Sequence, residues 1–269
     1  MESLLSSSER GDLEYLATFV KNANAELECK VLAGQIQTKD VADRIMKTID
    51  GFSAGPAVEA QHATFSFSDG LRVVVRGPEN IQKVFTTNSF RGTPVRVERK
   101  TRYFGGHGGR DDMVDVPDSS LRFTLRKEEE VRKDFTGAAM DATSHVRVMN
   151  RKSWKTQDGL LRVDFSLVKS KTKSTKTCSD LLRQNAAYEL EVEVLDRTAP
   201  PKVLVESMLI HIGMILSAFQ GSSFLLSSSD IKRYSMEFGS MGYKFLNPVT
   251  MKRRHIRADR KNKTAEKTI

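Results

Sequence analysis

The chain has 269 residues and a formal charge of +9, from 43 Lys+Arg against 34 Asp+Glu. That length suits one large domain or two small ones, and 39% hydrophobic content suits a modest globular core. Two cysteines, Cys29 and Cys178, make no disulfide framework; five scattered histidines give no zinc spacing; no run of about 18 apolar residues reads as a membrane span, and no basic-flanked apolar segment opens the chain as a signal peptide.

In chain order, residues 12–22 read as a short helix capped by Asp12, with Leu13, Leu16, Phe19 and Val20 on one face. Residues 25–32 alternate charged and apolar side chains, a strand signature, with Cys29 on the core side. Thr38 then caps a second helix that turns Val41, Ile45 and Ile49 inward, and 51–60 is a loop. Strands follow through 62–102, with Asp69-Gly70 as a hairpin turn. The glycine-rich run 105–112 is a loop with no following helix to offer its N-terminus to a phosphate. Further strands fall at 120–129, 144–154, 160–170 and 187–195, with a turn at 157–159 and a basic loop at 169–177. Pro200-Pro201 ends the last strand; an apolar helix carrying Met208 and Met214 in the core follows, then another around 229–238. Trp154 reads as packing. The expected class is therefore mainly β (α+β), an antiparallel sheet with helices at its ends, and closure into a barrel is one way to hide its edges.

The polar faces of these strands are charged and sorted by sign. Side chains two apart share a face, so Glu26, Glu28 and Lys30 point one way, as do Glu189, Glu191 and Glu193. Rows of carboxylates repel unless something joins them, and two such rows together make an oxygen site for a hard cation, Mg²⁺ or Mn²⁺. The strands between carry bases: Arg72 and Arg76; Arg96, Glu98, Lys100 and Arg102; Arg122, Thr124, Arg126 and Glu128; Arg147 and Arg151; Arg162, Asp164 and Ser166, with Lys169 just beyond. Turned into a closed barrel, these faces would line a lumen suited to a polyphosphate.

The rows, in this order, resemble the triphosphate tunnel metalloenzymes. They are most similar to the metal-dependent RNA 5′-triphosphatases of fungal and large-DNA-virus mRNA capping systems, over roughly residues 20–250. The resemblance rests on ELECK, LRFTLRKEE, VRVMNRKSW, LLRVDFSLVKS, YELEVEVL and FQGSSFLLSSSDI. It implies a closed eight-stranded antiparallel barrel with flanking helices, organised as an N-terminal helical segment (1–22), a tunnel domain (23–250) and a basic tail or linker (251–269). It implies that Glu26, Glu28, Glu189, Glu191 and Glu193 hold a divalent cation, Mg²⁺ or Mn²⁺. Arg122, Arg126, Arg147, Arg151, Arg162 and Lys169 would contact a triphosphate, and Asp164 would orient a basic neighbour. Glu128, or one of Glu189, Glu191 and Glu193, would position water, and Lys30, Arg72 and Lys100 complete the set. The family often has a Lys between the two arginines of VRVMNRKSW; Met149 stands there, unless Lys152 substitutes through a bulge.

The implied reaction removes the γ-phosphate of a 5′-triphosphate RNA, the first step of capping, in a pathway shared with a guanylyltransferase and a methyltransferase, in cis or in trans. The guanylyltransferase motif Lys-x-Asp-Gly is absent from this chain. The implied location is intracellular: host cytoplasm or virion for a viral protein, nucleus for a cellular one. Alternatives are a small-molecule triphosphatase of the same superfamily and a non-catalytic RNA-binding β-domain. Residues 252–269 hold eight Lys/Arg against two acids, a net +6, leaving the rest of the chain at 35 against 32. The basic excess is mostly a tail, suited to non-specific RNA contact.

Overall fold

The computed structural model describes residues 4–32, 34–104, 111–131, 143–172, 181 and 183–222. They all fall in one unit, residues 1–225. The helix expected around 229–238, most of the glycine-rich loop, Cys178 and the basic tail lie outside the described residues.

The order of elements is α1 (Ser7–Ala17), a 3₁₀ turn (Thr18–Lys21), β1 (Ala25–Val31), α2 (Lys39–Phe52), β2 (Val58–Phe67), β3 (Leu71–Arg76), α3 (Pro78–Thr87), β4 (Val95–Arg102), β5 (Met113–Val116), β6 (Leu121–Glu130), β7 (Thr143–Lys155), β8 (Leu161–Thr172), β9 (Ala187–Val194) and α4 (Pro201–Gln220). The strands run β1-β9-β8-β7-β2-β3-β4-β6, and β6 pairs back onto β1. Every pairing is antiparallel, so the result is the expected closed eight-stranded barrel, which leaves no edge among those strands. β5 is a ninth strand, laid along the half of β6 that β4 does not reach.

Alternation puts charge inside the barrel and hydrocarbon outside it. Leu27 and Cys29 of β1, Phe123 and Leu125 of β6, Leu161 and Val163 of β8, and Val192 of β9 are buried on the outer face. They share one core with Leu13 and Leu16 of α1, Ile45 and Ile49 of α2, and Leu204, Met208 and Ile212 of α4. On the other side, Ala63, Phe65, Val73, Val75 and Val97 pack with Ile81 and Val84 of α3 in a second core. The helices therefore cover the barrel's outer wall, and the stabilising apolar burial occurs there rather than in the lumen.

Thr38 caps α2 as expected, its Oγ1 accepting from Val41 N at 3.4 Å. α1 begins earlier than Asp12. Ser6 and Glu9 form a capping box, with Ser6 N donating to Glu9 at 2.7 Å, so Ser6 is the cap. α3 is an addition to the expected strands: Gly77, at φ +86, ends β3 and Pro78 opens the helix. β8 extends to Thr172, into what reads as a basic loop.

Trp154 is buried and donates to Asp50 at 2.7 Å, a packing role. α4 is long and apolar enough to cross a bilayer. Here Leu204, Val205, Met208, Ile212, Ile215 and Leu216 are buried in the first core, and Ser207 ties the helix to Asp158 in the β7–β8 turn. Met208 is core as expected. Met214 is not: it shares an exposed stripe with Val203 and Ile210, because it lies on the opposite side of the helix.

Candidate active site

The register fixes which side chains share the lumen. Glu28 pairs with Thr124 on one side and Glu193 on the other, and Lys30 with Arg122 and Glu191. Glu193 faces Arg162, Glu191 faces Asp164, and Glu189 faces Ser166. Next come Arg151 beside Ser166 and Arg147 beside Ser170, then His62 beside Met149 and Thr64 beside Arg147. Arg72 pairs with Glu98, and Lys100 with Glu128. By strand order, the carboxylate strands β1 and β9 lie across the lumen from β2 and β3.

Within this lumen most carboxylates meet a base. Lys100 Nζ lies 2.5 Å from Glu26 and 3.0 Å from Glu28, and Thr124 Oγ1 donates to Glu28 at 3.1 Å. Burial disfavours the Lys100 charge, but Glu28 and Glu26 outweigh it and raise its pKa. Arg151 donates to Ser166 at 3.0 Å, Asp164 at 2.8 Å and Glu191 at 3.2 Å. Arg162 reaches Asp164 at 3.1 Å and also pairs with Glu193, while Arg147 pairs with Glu189. Lys30 lies 3.4 Å from Glu191. Burial would push the Glu191 carboxyl up; Lys30, Arg151, Lys100 and Arg147 together hold it below the usual range.

Glu193 goes the other way. Burial raises its carboxyl to about 7, Arg162 opposes, and the negative charges of Glu26 and Asp164 add to the rise. Asp164, its side chain 3% exposed, has one oxygen bound by Arg151 and Arg162, while buried Oδ1 has no hydrogen-bond partner among the described residues. The neighbourhood of Glu26, Glu193 and Asp164 is thus rich in oxygen and negative charge.

Toward the strand ends, Glu128 accepts from Arg96 at 3.2 Å, and Glu98 lies 3.7 Å from both Arg72 and Arg96. Arg126 reaches the buried Asp112 at 3.6 Å. Arg122 keeps the lumen register, but its side chain is 56% exposed and grips Asp115 of β5 at 2.6 Å.

Lys169 does not join these residues. It pairs with Val148 and shares the outer face with Val163 and Phe165, so Val168 and Ser170 occupy the lumen positions instead. The resemblance gives Lys169, just beyond Ser166, a triphosphate contact; an odd separation of three residues on an unbulged strand puts it on the other face. Lys152 does not replace the missing lysine either. No bulge interrupts β7 there, and Lys152 pairs with Glu59 at 2.9 Å on the outer face, while Met149 is buried in the lumen. The residue that the sequence pattern does not single out is His62, which alternates with Thr64 and Ser66 in a strand legible mainly by its apolar face; Arg96 and Glu98 fall in a charged row of the sequence, and the structure adds that Arg96 holds Glu128.

Solved structures share this architecture. The RNA triphosphatase domain of the trifunctional mimivirus mRNA capping enzyme superposes with a TM-score of 0.60 at 18% identity, covering 80% of this chain and 99% of that one. A triclinic structure of the mimivirus capping enzyme triphosphatase gives the same TM-score and identity, covering 81% of this chain and 100% of that one. This chain has the triphosphate tunnel fold. Schizosaccharomyces pombe Pct1 RNA triphosphatase aligns at a TM-score of 0.49 and 13% identity, over 81% of this chain and 88% of that one. No family model matches the chain, and no curated protein matches its sequence.

The tunnel's donor set suits a hard divalent cation. Glu26, Glu28 and Glu193 offer only carboxylate oxygens, Asp164 Oδ1 is an uncompensated acceptor, and the buried Glu193 is raised further by the charges of Glu26 and Asp164. Among the described residues, no three of these groups converge as a ready-made ligand cluster; the Lys100 ammonium instead lies against Glu26 and Glu28.

Proposed function

We propose that this protein is a divalent-cation-dependent RNA 5′-triphosphatase that converts a 5′-triphosphate RNA end to a 5′-diphosphate, the first step of mRNA capping. One observation carries the reading: a closed barrel whose lumen sets carboxylates on β1 and β9 beside arginines on β7 and β8. A triphosphate needs that combination, and the likeness to the mimivirus RNA triphosphatase domain supports the choice of an RNA end.

Arg147, Arg151 and Arg162 present planar forks for phosphate oxygens. Their present carboxylate partners, Glu189, Asp164, Glu191 and Glu193, hold them extended into the lumen before substrate arrives. Glu128, aligned by Arg96, accepts a proton-bearing water and orients it in line with the scissile bond. Glu26, Glu28 and Glu193 would hold the Mg²⁺ or Mn²⁺, which neutralises phosphate charge when bound. Lys30, Arg72, Arg122 and Arg126 extend the positive wall toward the strand ends. Guanylyltransferase and methyltransferase activities would act on the product from other chains or domains, inside the cell.

Phosphate release from triphosphate-ended RNA, with Mg²⁺ or Mn²⁺ and then with a chelator, tests the reading. Hydrolysis that stops with the chelator, and falls at least about 100-fold in Glu28→Ala and Glu191→Ala, is expected. Full activity in either variant would remove these carboxylates from the site. Faster release from free nucleotides than from RNA would assign the chain to small-molecule triphosphates instead.

A further inference from the structure

Among the described residues, His62 is the one lumen histidine flanked by arginines on both neighbouring strands. Its cross-strand partners are Arg76 on β3 and Met149 on β7. Arg147 and Arg151 lie two residues either side of Met149 on the same face of β7, so His62 sits level with the gap between two phosphate-binding forks. At that level β7 and β8 offer only Met149 and Val168, both buried, to the lumen. β7 and β8 are thus apolar there, while β2 and β3 supply the imidazole and Arg76.

The groups that act on the ring are burial first, then Arg151 and Arg76, with Asp164 of β8 opposing and Arg147 adding; together they push it down to about 4. His145 and Arg72 lie further along the same wall, and α3 contributes only to the outer core. The ring is therefore neutral at neutral pH, because it is partly buried and stands among cations. A triphosphate brings several negative charges to those same arginines and reverses the local field.

We infer that His62 is an additional substrate-binding residue: its imidazole faces the triphosphate across the lumen from the carboxylate strands and takes up a proton from solvent as the phosphate oxygens arrive. This rests on the triphosphatase reading. No bond to phosphorus is made or broken by the ring; it supplies, at the level of Met149, a positive charge that is present only when substrate is.

The test uses the full chain with inorganic tripolyphosphate in EDTA, so that binding is read without hydrolysis. Calorimetry at pH 6 in two buffers of different ionisation enthalpy counts protons taken up, and the His62 ring resonances report its protonation directly. Wild type should take up more protons than His62→Asn, and its affinity should gain up to about tenfold more per unit fall in pH between pH 6.5 and 5. In the wild type the His62 ring should titrate at higher pH with tripolyphosphate than without. Equal uptake and equal pH dependence in both proteins, with tripolyphosphate bound in an Arg151-dependent way, would overturn this inference and leave the triphosphatase reading standing. No binding of tripolyphosphate in EDTA, together with no hydrolysis of it in Mg²⁺ or Mn²⁺, would overturn both.

Discussion

Glu28 of β1 and Glu193 of β9 stand directly opposite each other, with both side chains in the lumen. Like charges in that relation repel by about 0.2–1 kcal/mol on an ordinary sheet, and burial makes the repulsion worse. Lys100 against Glu28 and Arg162 against Glu193 offset part of it. The Glu193 carboxyl itself is held up at about 7, chiefly by burial, with Arg162 opposing and the charges of Glu26 and Asp164 adding.

That residue sets a pH dependence with a definite sign. The unfolded chain binds the Glu193 proton near its ordinary value of 4.5, and the folded protein near 7. Between those values the folded state holds more protons, so this group's contribution to stability falls as pH rises from about 4.5 to 7. In EDTA, Glu193→Gln should flatten the decline of Tm between pH 5 and 8. A decline as steep in the variant as in wild type would assign this pH dependence to another group.

Arg151 joins three strands through Ser166, Asp164 and Glu191. Removing it leaves Asp164 buried with only Arg162 for charge, a cost of roughly 1–3 kcal/mol. Arg151→Ala should therefore lower Tm as well as hydrolysis, by about 100-fold or more in kcat. Arg151→Lys should restore part of the Tm and little of the activity, because an ammonium cannot span these partners as a fork does. Full catalytic rescue by lysine would show that only charge is needed.

Lys169 separates alternation from family likeness. The parity of Arg162, Asp164 and Ser166 excludes it from the lumen, and its register with Val148 agrees. Lys169→Ala should leave kcat/KM within about twofold, the size of an ordinary surface change. Arg147→Ala, two strand pairings from the carboxylate row on β9, should be severely impaired. A large loss in Lys169→Ala would mean that the β8 register shifts when substrate binds.

Most of the tunnel is legible in the sequence because its signal is local. Period-two alternation in Glu26–Lys30, Glu189–Glu193 and Arg162–Ser166 names the lumen face without knowledge of pairing. Closure needs the β1–β6 pairing, which joins residues about a hundred positions apart and leaves no local trace. His62 is hidden in the sequence because its neighbours Thr64 and Ser66 are neutral; its role depends on arginines contributed by β3 and β7. The start of α1 differs from the expected one because two caps compete in the sequence, and the reciprocal Ser6–Glu9 box prevails over Asp12.

The tail carries a last, separable expectation. Residues 252–269 hold a net +6, while the remaining residues hold 35 bases against 32 acids, many of the latter paired with bases inside the tunnel. Electrostatic attraction for an RNA backbone should therefore come mainly from the tail, and the grip on the triphosphate from the lumen. Truncation after Thr250 should weaken binding of triphosphate-ended RNA at low salt. It should also flatten the dependence of log K on log salt, by up to about 0.7 for each single-strand phosphate that the tail no longer neutralises. Hydrolysis of inorganic tripolyphosphate should be unchanged, because that substrate has no chain for the tail to follow. Loss of both activities together would place the residues beyond Thr250 in the folding of the barrel rather than in capture of RNA.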